Sequence, residues 1–120
     1  MTQHGCLDFD GVLHSYTSGW LGETVIPDAP TDGAQDFVRM VLSMGFAPVI
    51  ASTRAHNAIG RKAMADWLKR EGFPKVPVVA GKPAASFYLD DRALRFEGPG
   101  KWPTEAEIKA ACVPWNKRGR

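Results

Sequence analysis

The stretch "APVIAS", residues 47–52, constrains the fold of this chain more than any other, because it is a continuous apolar run between two segments with helical spacing. Such a run is typical of a strand that is buried on both faces of a parallel sheet. Three further strands are predicted at residues 5–9, 76–80 and 86–90, and "LRFEG", residues 94–98, is a candidate fifth strand. Strands that alternate with helices predict a mostly parallel α/β sheet with helices on both faces.

Apolar residues at intervals of three and four predict one helix on each side of this strand. The first has Thr31 or Asp32 as its N-cap and ends at Gly45, and the second runs from about residue 57 to residue 71. The predicted core positions are Ala34, Phe37, Val38, Val41 and Leu42 in the first helix and Ile59, Ala63, Met64, Trp67 and Leu68 in the second. A third helix is predicted after Thr104, which can cap it.

The length of 120 residues predicts one domain. We expect a three-layer α/β/α, Rossmann-like domain over residues 1–115, with a short flap loop at 14–30, no large cap domain and a basic tail at 116–120. The formal net charge is +2, and the ending "NKRGR" is either a solvated tail or a nucleic-acid contact. The two cysteines suggest neither a disulfide framework nor a zinc motif, and no segment has the apolar length of a membrane helix. These features predict a cytoplasmic protein with reduced thiols and no membrane partner.

Two pairs of carboxylates stand where strands are predicted to end. Asp8 and Asp10 close the first strand, in "CLDFDGVL", and Asp90 and Asp91 close another, in "YLDD". The carboxyl ends of parallel strands meet at one edge of a sheet, so these groups should lie close together. Two carboxylates about 4 Å apart repel by roughly 4 kcal/mol at an effective dielectric constant near 20, which an opposing cation would offset. Hard oxygen ligands favour Mg²⁺, and the residue spacing excludes an EF-hand calcium loop.

These segments, taken in order, resemble the four motifs of the haloacid dehalogenase superfamily, and specifically its capless phosphatase branch. The resemblance rests on "DFDGVL", the hydroxyl in "VIASTR", Lys82 and "YLDD", and it covers residues 6–96. It implies a magnesium-dependent phosphomonoester hydrolase that works through an aspartyl phosphate.

The resemblance also implies a role for each matching catalytic residue. Asp8 is the nucleophile, and Asp10 is the general acid that later acts as the base. Ser52 donates a hydrogen bond to a phosphoryl oxygen, with Thr53 as the alternative hydroxyl. Lys82 pairs with the nucleophile and the phosphoryl group, although it precedes Asp90 by only eight residues, and Lys75 is the weaker alternative.

The magnesium ligands implied by the resemblance are carboxylates and one carbonyl. They are Asp8, the main-chain carbonyl of Asp10, Asp90, and Asp91 either directly or through water.

Two segments resemble the phosphatase domain of polynucleotide kinase phosphatases, namely "STRAHN" and "LDDRALRFEG". This likeness implies that Arg54 and Arg92 bind a second phosphate or backbone charge, although Arg92 could instead form an ion pair with Glu97 or with an aspartate of the site. Trp20 and His14 lie in the flap loop and are further candidate substrate contacts. Trp20 could stack on a base or simply pack the loop onto the core.

An open site suits a bulky substrate, so the leading substrate is a nucleotide or a nucleic-acid 3′-phosphate. A small-metabolite phosphatase whose cap comes from a partner subunit is one alternative. A non-catalytic relative that binds phosphate or nucleic acid is another, although a binding protein would need neither a nucleophile nor an acid.

Overall fold

The computed structural model describes residues 3–113 and 115–117 and has an α/β fold. The strands are β1 (His4–Asp8), β2 (Ala47–Ala51), β3 (Val78–Val79) and β4 (Phe87–Leu89), and the helices are α1 (Ala34–Ser43), α2 (Ala58–Arg70) and α3 (Glu105–Ala111). The strands form one sheet in the order β3-β2-β1-β4, and every neighbouring pair is parallel. The predicted parallel α/β sheet is therefore confirmed, with β3 and β4 shorter than expected.

One hydrophobic cluster joins β1 and β2 to both α1 and α2. Leu7 and Ile50 are paired across the two strands and share this cluster with Val38 of α1 and Trp67 of α2. The chain steps from β1 to β2 to β3 in one direction, and right-handed crossovers then place α1 and α2 on the same face. Helix α3 follows β4 and buries no residue. Helices were predicted on both faces of the sheet, but α1 and α2 lie on the same face.

The helix boundaries agree with the predicted ones, but the N-cap of α1 differs from the prediction. The N-cap of α1 is Gly33, whose φ is +84°, and no side chain caps this end, so the prediction of Thr31 or Asp32 is wrong. The Thr31 carbonyl accepts a hydrogen bond from the Ala34 N–H at 3.0 Å, which turns the chain into the helix through the backbone alone. Asn57 caps α2 by accepting from the Gly60 N–H at 2.9 Å.

Two predicted core positions lie outside the core. Leu42 is 40% exposed and Ile59 is 64% exposed, whereas Val38, Val41 and Met64 are buried. Both exposed residues stand at the margin of their helix's apolar stripe. The buried residues of each helix thus form a narrower stripe than the apolar spacing predicts.

The prediction of a fifth strand at residues 94–98 is wrong, because the structure has irregular backbone there. Phe96 stacks on Trp102 with ring centroids 4.6 Å apart, and both rings are more than half exposed. The apolar side chains of this segment therefore pack on one another instead of on the sheet.

The longest helix of the described residues, α2, has 13 residues, and no helix among them is both long enough and apolar enough to cross a membrane. Residues 115–117 form a short 3-10 turn. The rest of the predicted basic tail, residues 118–120, lies outside the described residues.

Replacing Gly60 by alanine should destabilise the protein. An alanine in place of glycine usually stabilises a helix by about 1 kcal/mol. Here a Cβ at position 60 would collide with the carbonyl oxygen of Arg54, so α2 would have to move away. We expect the free energy of unfolding to fall by about 1–3 kcal/mol in urea denaturation. Lys69→Ala, an exposed change in the same helix, is the control, and a gain in stability for Gly60→Ala would contradict this packing.

Candidate functional site

Three carboxylates converge at the carboxyl ends of β1 and β4. Asp8 is the last residue of β1, and Asp90 and Asp91 directly follow β4, which pairs with β1 in parallel. One oxygen from each of these carboxylates lies within 4.8 Å of one oxygen of each of the others. The sequence prediction that these groups would meet at one edge of the sheet is borne out geometrically.

The turn after β1 explains why a glycine follows Asp10. Gly11 has a φ of +84°, which an L side chain rarely adopts, and a Cβ there would collide with the Asp91 carboxylate oxygen. The N–H groups of Leu13 and His14 both donate to the Phe9 carbonyl, at 2.9 and 3.0 Å, and close the turn. Gly11 thus lets the Asp91 carboxylate approach the backbone of the loop that holds Asp10.

Burial and neighbouring charge raise the pKa of Asp8 to about 7. Burial of the carboxyl group is the largest cause, and the negative charge of Asp90 is the next that raises it. Asp91 and Asp10 add smaller effects, while a hydrogen bond from the Phe9 backbone acts in the opposite direction. A cation beside these groups would remove the repulsion that raises the pKa.

This donor set fits a hard divalent cation. The carboxylates of Asp8, Asp90 and Asp91 offer oxygen atoms within one small region, and oxygen ligands of this kind suit Mg²⁺.

A cavity of about 240 Å³ opens beside these carboxylates. It is lined by Asp8, Asp10, Tyr16, Trp20, Ser52, Thr53, Asp90, Asp91 and Arg92. Most of the predicted site residues are therefore brought together, although they come from four separate segments of the chain. Tyr16 was given no role from the sequence, although its position in a loop expected to face this edge of the sheet pointed to the site, and it also lines the cavity.

Ser52 follows β2 and lies at the start of a 3-10 turn at Thr53–His56. Its hydroxyl oxygen accepts a hydrogen bond from the Arg54 N–H at 3.1 Å. Because a hydroxyl that accepts one hydrogen bond can still donate its own proton, Ser52 can donate to a ligand oxygen in the cavity. Thr53 lines the same cavity and is exposed.

Lys82 lines a second, larger cavity of about 430 Å³, together with Asp8, Ser52 and Asp90. Its ammonium group lies 4.5 Å from the centroid of the Tyr88 ring. Since Asp8, Ser52 and Asp90 line both cavities, Lys82 stands at the boundary of the carboxylate cluster but not in the first cavity. The alternative, Lys75, is exposed and lines neither cavity.

Arg54 and His14 do not line either cavity, in contrast to their predicted role as substrate contacts. Both are fully buried, and both face the Asp10 carboxylate. Arg54 donates to it through Nε at 3.1 Å and Nη2 at 3.0 Å, and His14 Nδ1 lies 2.8 Å from Asp10 Oδ1. The sequence does not show that these two side chains point into the protein, because a basic residue that follows a strand can point either into the cavity or into the core.

The two other predicted substrate contacts stand at the cavity itself. Trp20 is 53% exposed, and its ring centroid lies 4.7 Å from the Arg54 guanidinium carbon. Arg92 is exposed, and its backbone N–H donates to Asp90 Oδ1 at 2.7 Å. Trp20 therefore presents part of an aromatic ring to the cavity, and Arg92 presents a cation.

The C-terminal part of the chain also reaches this loop. The Trp115 indole N–H donates to the Gly11 carbonyl, and the Asn116 side-chain amide lies 3.4 Å from the Ser15 carbonyl. More than 100 residues separate the partners in each pair, so no local sequence signal could have predicted these contacts.

No protein-family model, curated protein or solved structure matches this chain. The interpretation of the site therefore rests on the residues and their geometry.

Without metal, Asp8 should make the stability of the protein depend on pH. Its folded-state pKa of about 7 lies above the ordinary value of 3.8, so the folded state favours the protonated form. This contribution is fully present below about pH 4 and is lost as the pH rises through 7. In chelator, the melting temperature of the wild type should fall between pH 5 and pH 8 by more than that of Asp8→Asn, which cannot ionise at this position.

The exposed carboxylate Asp36 supplies the control for this experiment. Asp36→Asn should follow the wild-type profile, since its carboxylate is already solvated. Parallel profiles for the wild type and Asp8→Asn would show that Asp8 is an ordinary surface carboxylate.

Proposed function

We propose that this chain is a magnesium-dependent phosphomonoester hydrolase of the haloacid dehalogenase type. The observation that carries the proposal is the convergence of Asp8, Asp90 and Asp91 at the adjacent ends of β1 and β4. Asp10 and Ser52 line the same cavity, as the resemblance to this superfamily would require. The all-parallel sheet is compatible with the Rossmann-like architecture of such enzymes.

In the proposed reaction, an oxygen of Asp8 attacks the phosphorus atom and forms a new O–P bond. The bond from phosphorus to the leaving oxygen breaks, and its electron pair goes to that oxygen. Water then attacks the phosphorus of the aspartyl phosphate, which releases inorganic phosphate and regenerates the Asp8 carboxylate. Asp8, Asp90, Asp91 and the main-chain carbonyl of Asp10 would hold the magnesium ion, which would supply positive charge close to the phosphoryl oxygens.

Asp10 is the proposed proton carrier for both steps. It gives a proton to the leaving oxygen and later takes one from the attacking water. Each of its carboxylate oxygens can accept two hydrogen bonds. Oδ1 has two partners, His14 Nδ1 and Arg54 Nη2, whereas Oδ2 has Arg54 Nε as its partner. We therefore assign the transferred proton to Oδ2.

The phosphoryl group would be bound by residues that follow β2. Ser52 can donate its hydroxyl proton to a phosphoryl oxygen, and Thr53 stands beside it. Lys82, in the adjoining cavity with Asp8, can offset the remaining negative charge. These groups supply donors and charge where the carboxylates alone would repel the substrate.

A nucleotide or nucleic-acid 3′-phosphate is the proposed substrate class. Trp20 and Tyr16 place aromatic rings of the flap loop at the cavity, and Arg92 places a guanidinium there. Aromatic rings stack on bases, and guanidinium groups bind phosphate oxygens in pairs.

The proposal predicts hydrolysis that depends on both magnesium and Asp8. We expect release of phosphate from p-nitrophenyl phosphate and from a 3′-phosphorylated oligonucleotide in the presence of Mg²⁺, and none in chelator. Asp8→Asn should lower kcat by at least about 10⁴-fold, because an amide cannot form the covalent intermediate. Asp36→Asn is the matched control and should retain activity. Full turnover by Asp8→Asn would exclude Asp8 as the nucleophile.

Replacing Trp20 by alanine should affect the oligonucleotide more than the small ester. Loss of one stacked base costs about 1–3 kcal/mol, so KM for the oligonucleotide should rise about 5- to 150-fold. KM for p-nitrophenyl phosphate should change much less. Trp102→Ala is the control, because Trp102 is 72% exposed and does not line the cavity. Equal changes for both substrates would show that Trp20 only packs the loop.

A further inference from the structure

The flap loop, residues 14–30, is joined to the Asp10 carboxylate by one buried guanidinium. Arg54 uses Nε and Nη2 on Asp10, and its Nη1 donates to the carbonyl oxygens of Gly22, Glu23 and Val25 at 2.9–3.2 Å. The side chain is fully buried, so water cannot replace these partners. A single side chain thus fixes both the carboxylate and the middle of the flap.

A second connection runs through His14. Its Nε2 lies 3.2 Å from the Asp28 backbone nitrogen, which can only donate, so Nε2 accepts this hydrogen bond. The ring proton of neutral His14 is therefore on Nδ1 and is donated to Asp10 Oδ1 at 2.8 Å. The Asp28 carboxylate in turn accepts from the Ser18 N–H at 2.8 Å and from the Ser18 hydroxyl. The two ends of the flap are thereby tied to the same carboxylate.

We propose that Arg54 and His14 are positioning residues that couple the conformation of the flap loop to the orientation of Asp10. The Trp20 ring packs against the same guanidinium, so the wall of the cavity depends on this contact as well. Rotation of the Asp10 carboxylate would remove buried hydrogen bonds from Arg54 and release the flap carbonyls. Loss of the flap contacts would conversely free the carboxylate to turn. The catalytic part of this inference rests on the proposed function, whereas the structural coupling does not.

Hydrogen exchange of the flap amides tests the coupling without any substrate. The probes are the N–H groups of Ser18, Val25 and Asp28, which donate hydrogen bonds within the flap region. In Arg54→Lys, one ammonium group cannot reach both Asp10 and the flap carbonyls, so exchange at these amides should rise at least about tenfold. Arg39→Lys is the control, because Arg39 is exposed on α1. Unchanged flap exchange in folded Arg54→Lys overturns the proposal.

Asp10→Asn tests the same coupling by changing the carboxylate instead of the arginine. It removes the charge that Arg54 binds but alters no residue of the flap, and its side chain is 15% exposed in the wild type. The proposal expects faster exchange at Ser18, Val25 and Asp28 in this variant too, and a double variant with Arg54→Lys should add little. If Arg54→Lys does not fold, Asp10→Asn alone decides the question. Fully additive effects in the double variant, or unchanged exchange in Asp10→Asn, overturn the coupling.

Kinetics with two leaving groups tests the positioning role. The p-nitrophenolate ion departs without a proton, whereas the oligonucleotide hydroxyl needs one from Asp10. Asp10 also serves the later hydrolysis step, which both substrates share, so the comparison uses kcat/KM, which reports formation of the aspartyl phosphate. Arg54→Lys should lower kcat/KM for the oligonucleotide at least about tenfold more than kcat/KM for p-nitrophenyl phosphate. Equal losses overturn the positioning role and leave Arg54 a purely structural residue. If the wild type hydrolyses neither ester, the proposed function has failed, but the exchange measurements still decide the coupling.

Discussion

Electrostatic repulsion among Asp8, Asp90 and Asp91 is the interaction on which the rest of the site depends. Direct parallel pairing of β1 with β4 brings the ends of these strands together, and the three carboxylates at those ends lie close to one another. The pKa of Asp8 is raised by burial, which is the largest cause, and by the repulsion between the carboxylates. A chain that retains such an arrangement must offset the charge, by protonation or by a cation. The same crowding leaves no room for a Cβ at Gly11, which would collide with the Asp91 carboxylate.

Asp10 meets a different environment although it is only two residues away. Its carboxylate is paired with a buried arginine and a buried histidine, and the arginine also satisfies three backbone carbonyls of the flap. Removing one partner from a buried ion pair costs about 3–5 kcal/mol, so this group of side chains is fixed as a unit. The flap is therefore anchored to the core of the site, although it has little regular structure. One loop can in this way hold the acid and form a wall of the cavity.

The sequence allowed the sheet, the three helices and the carboxylate cluster to be predicted, because each has a local signal. A continuous apolar run indicated β2, and the position of paired aspartates after apolar runs indicated the site. Features that depend on distant contacts were not predicted. The inward direction of Arg54 and His14 is set by the position of Asp10 and the flap, and the contact between Trp115 and Gly11 joins opposite ends of the chain. Leu42 and Ile59 were misplaced because the spacing of apolar residues along a helix does not show how much of the apolar stripe will be buried.

Chemical trapping of the intermediate tests the central claim most directly. Borohydride reduces an acyl phosphate to an alcohol by hydride addition and releases phosphate, so it converts an aspartyl phosphate into homoserine. Protein that is turning over a phosphomonoester with Mg²⁺ would be treated with borohydride, digested and analysed by peptide mass spectrometry. The account predicts homoserine at position 8 in the wild type, and none when substrate or Mg²⁺ is omitted. Turnover without modification at Asp8, or with modification at Asp90 or Asp91 instead, would contradict it.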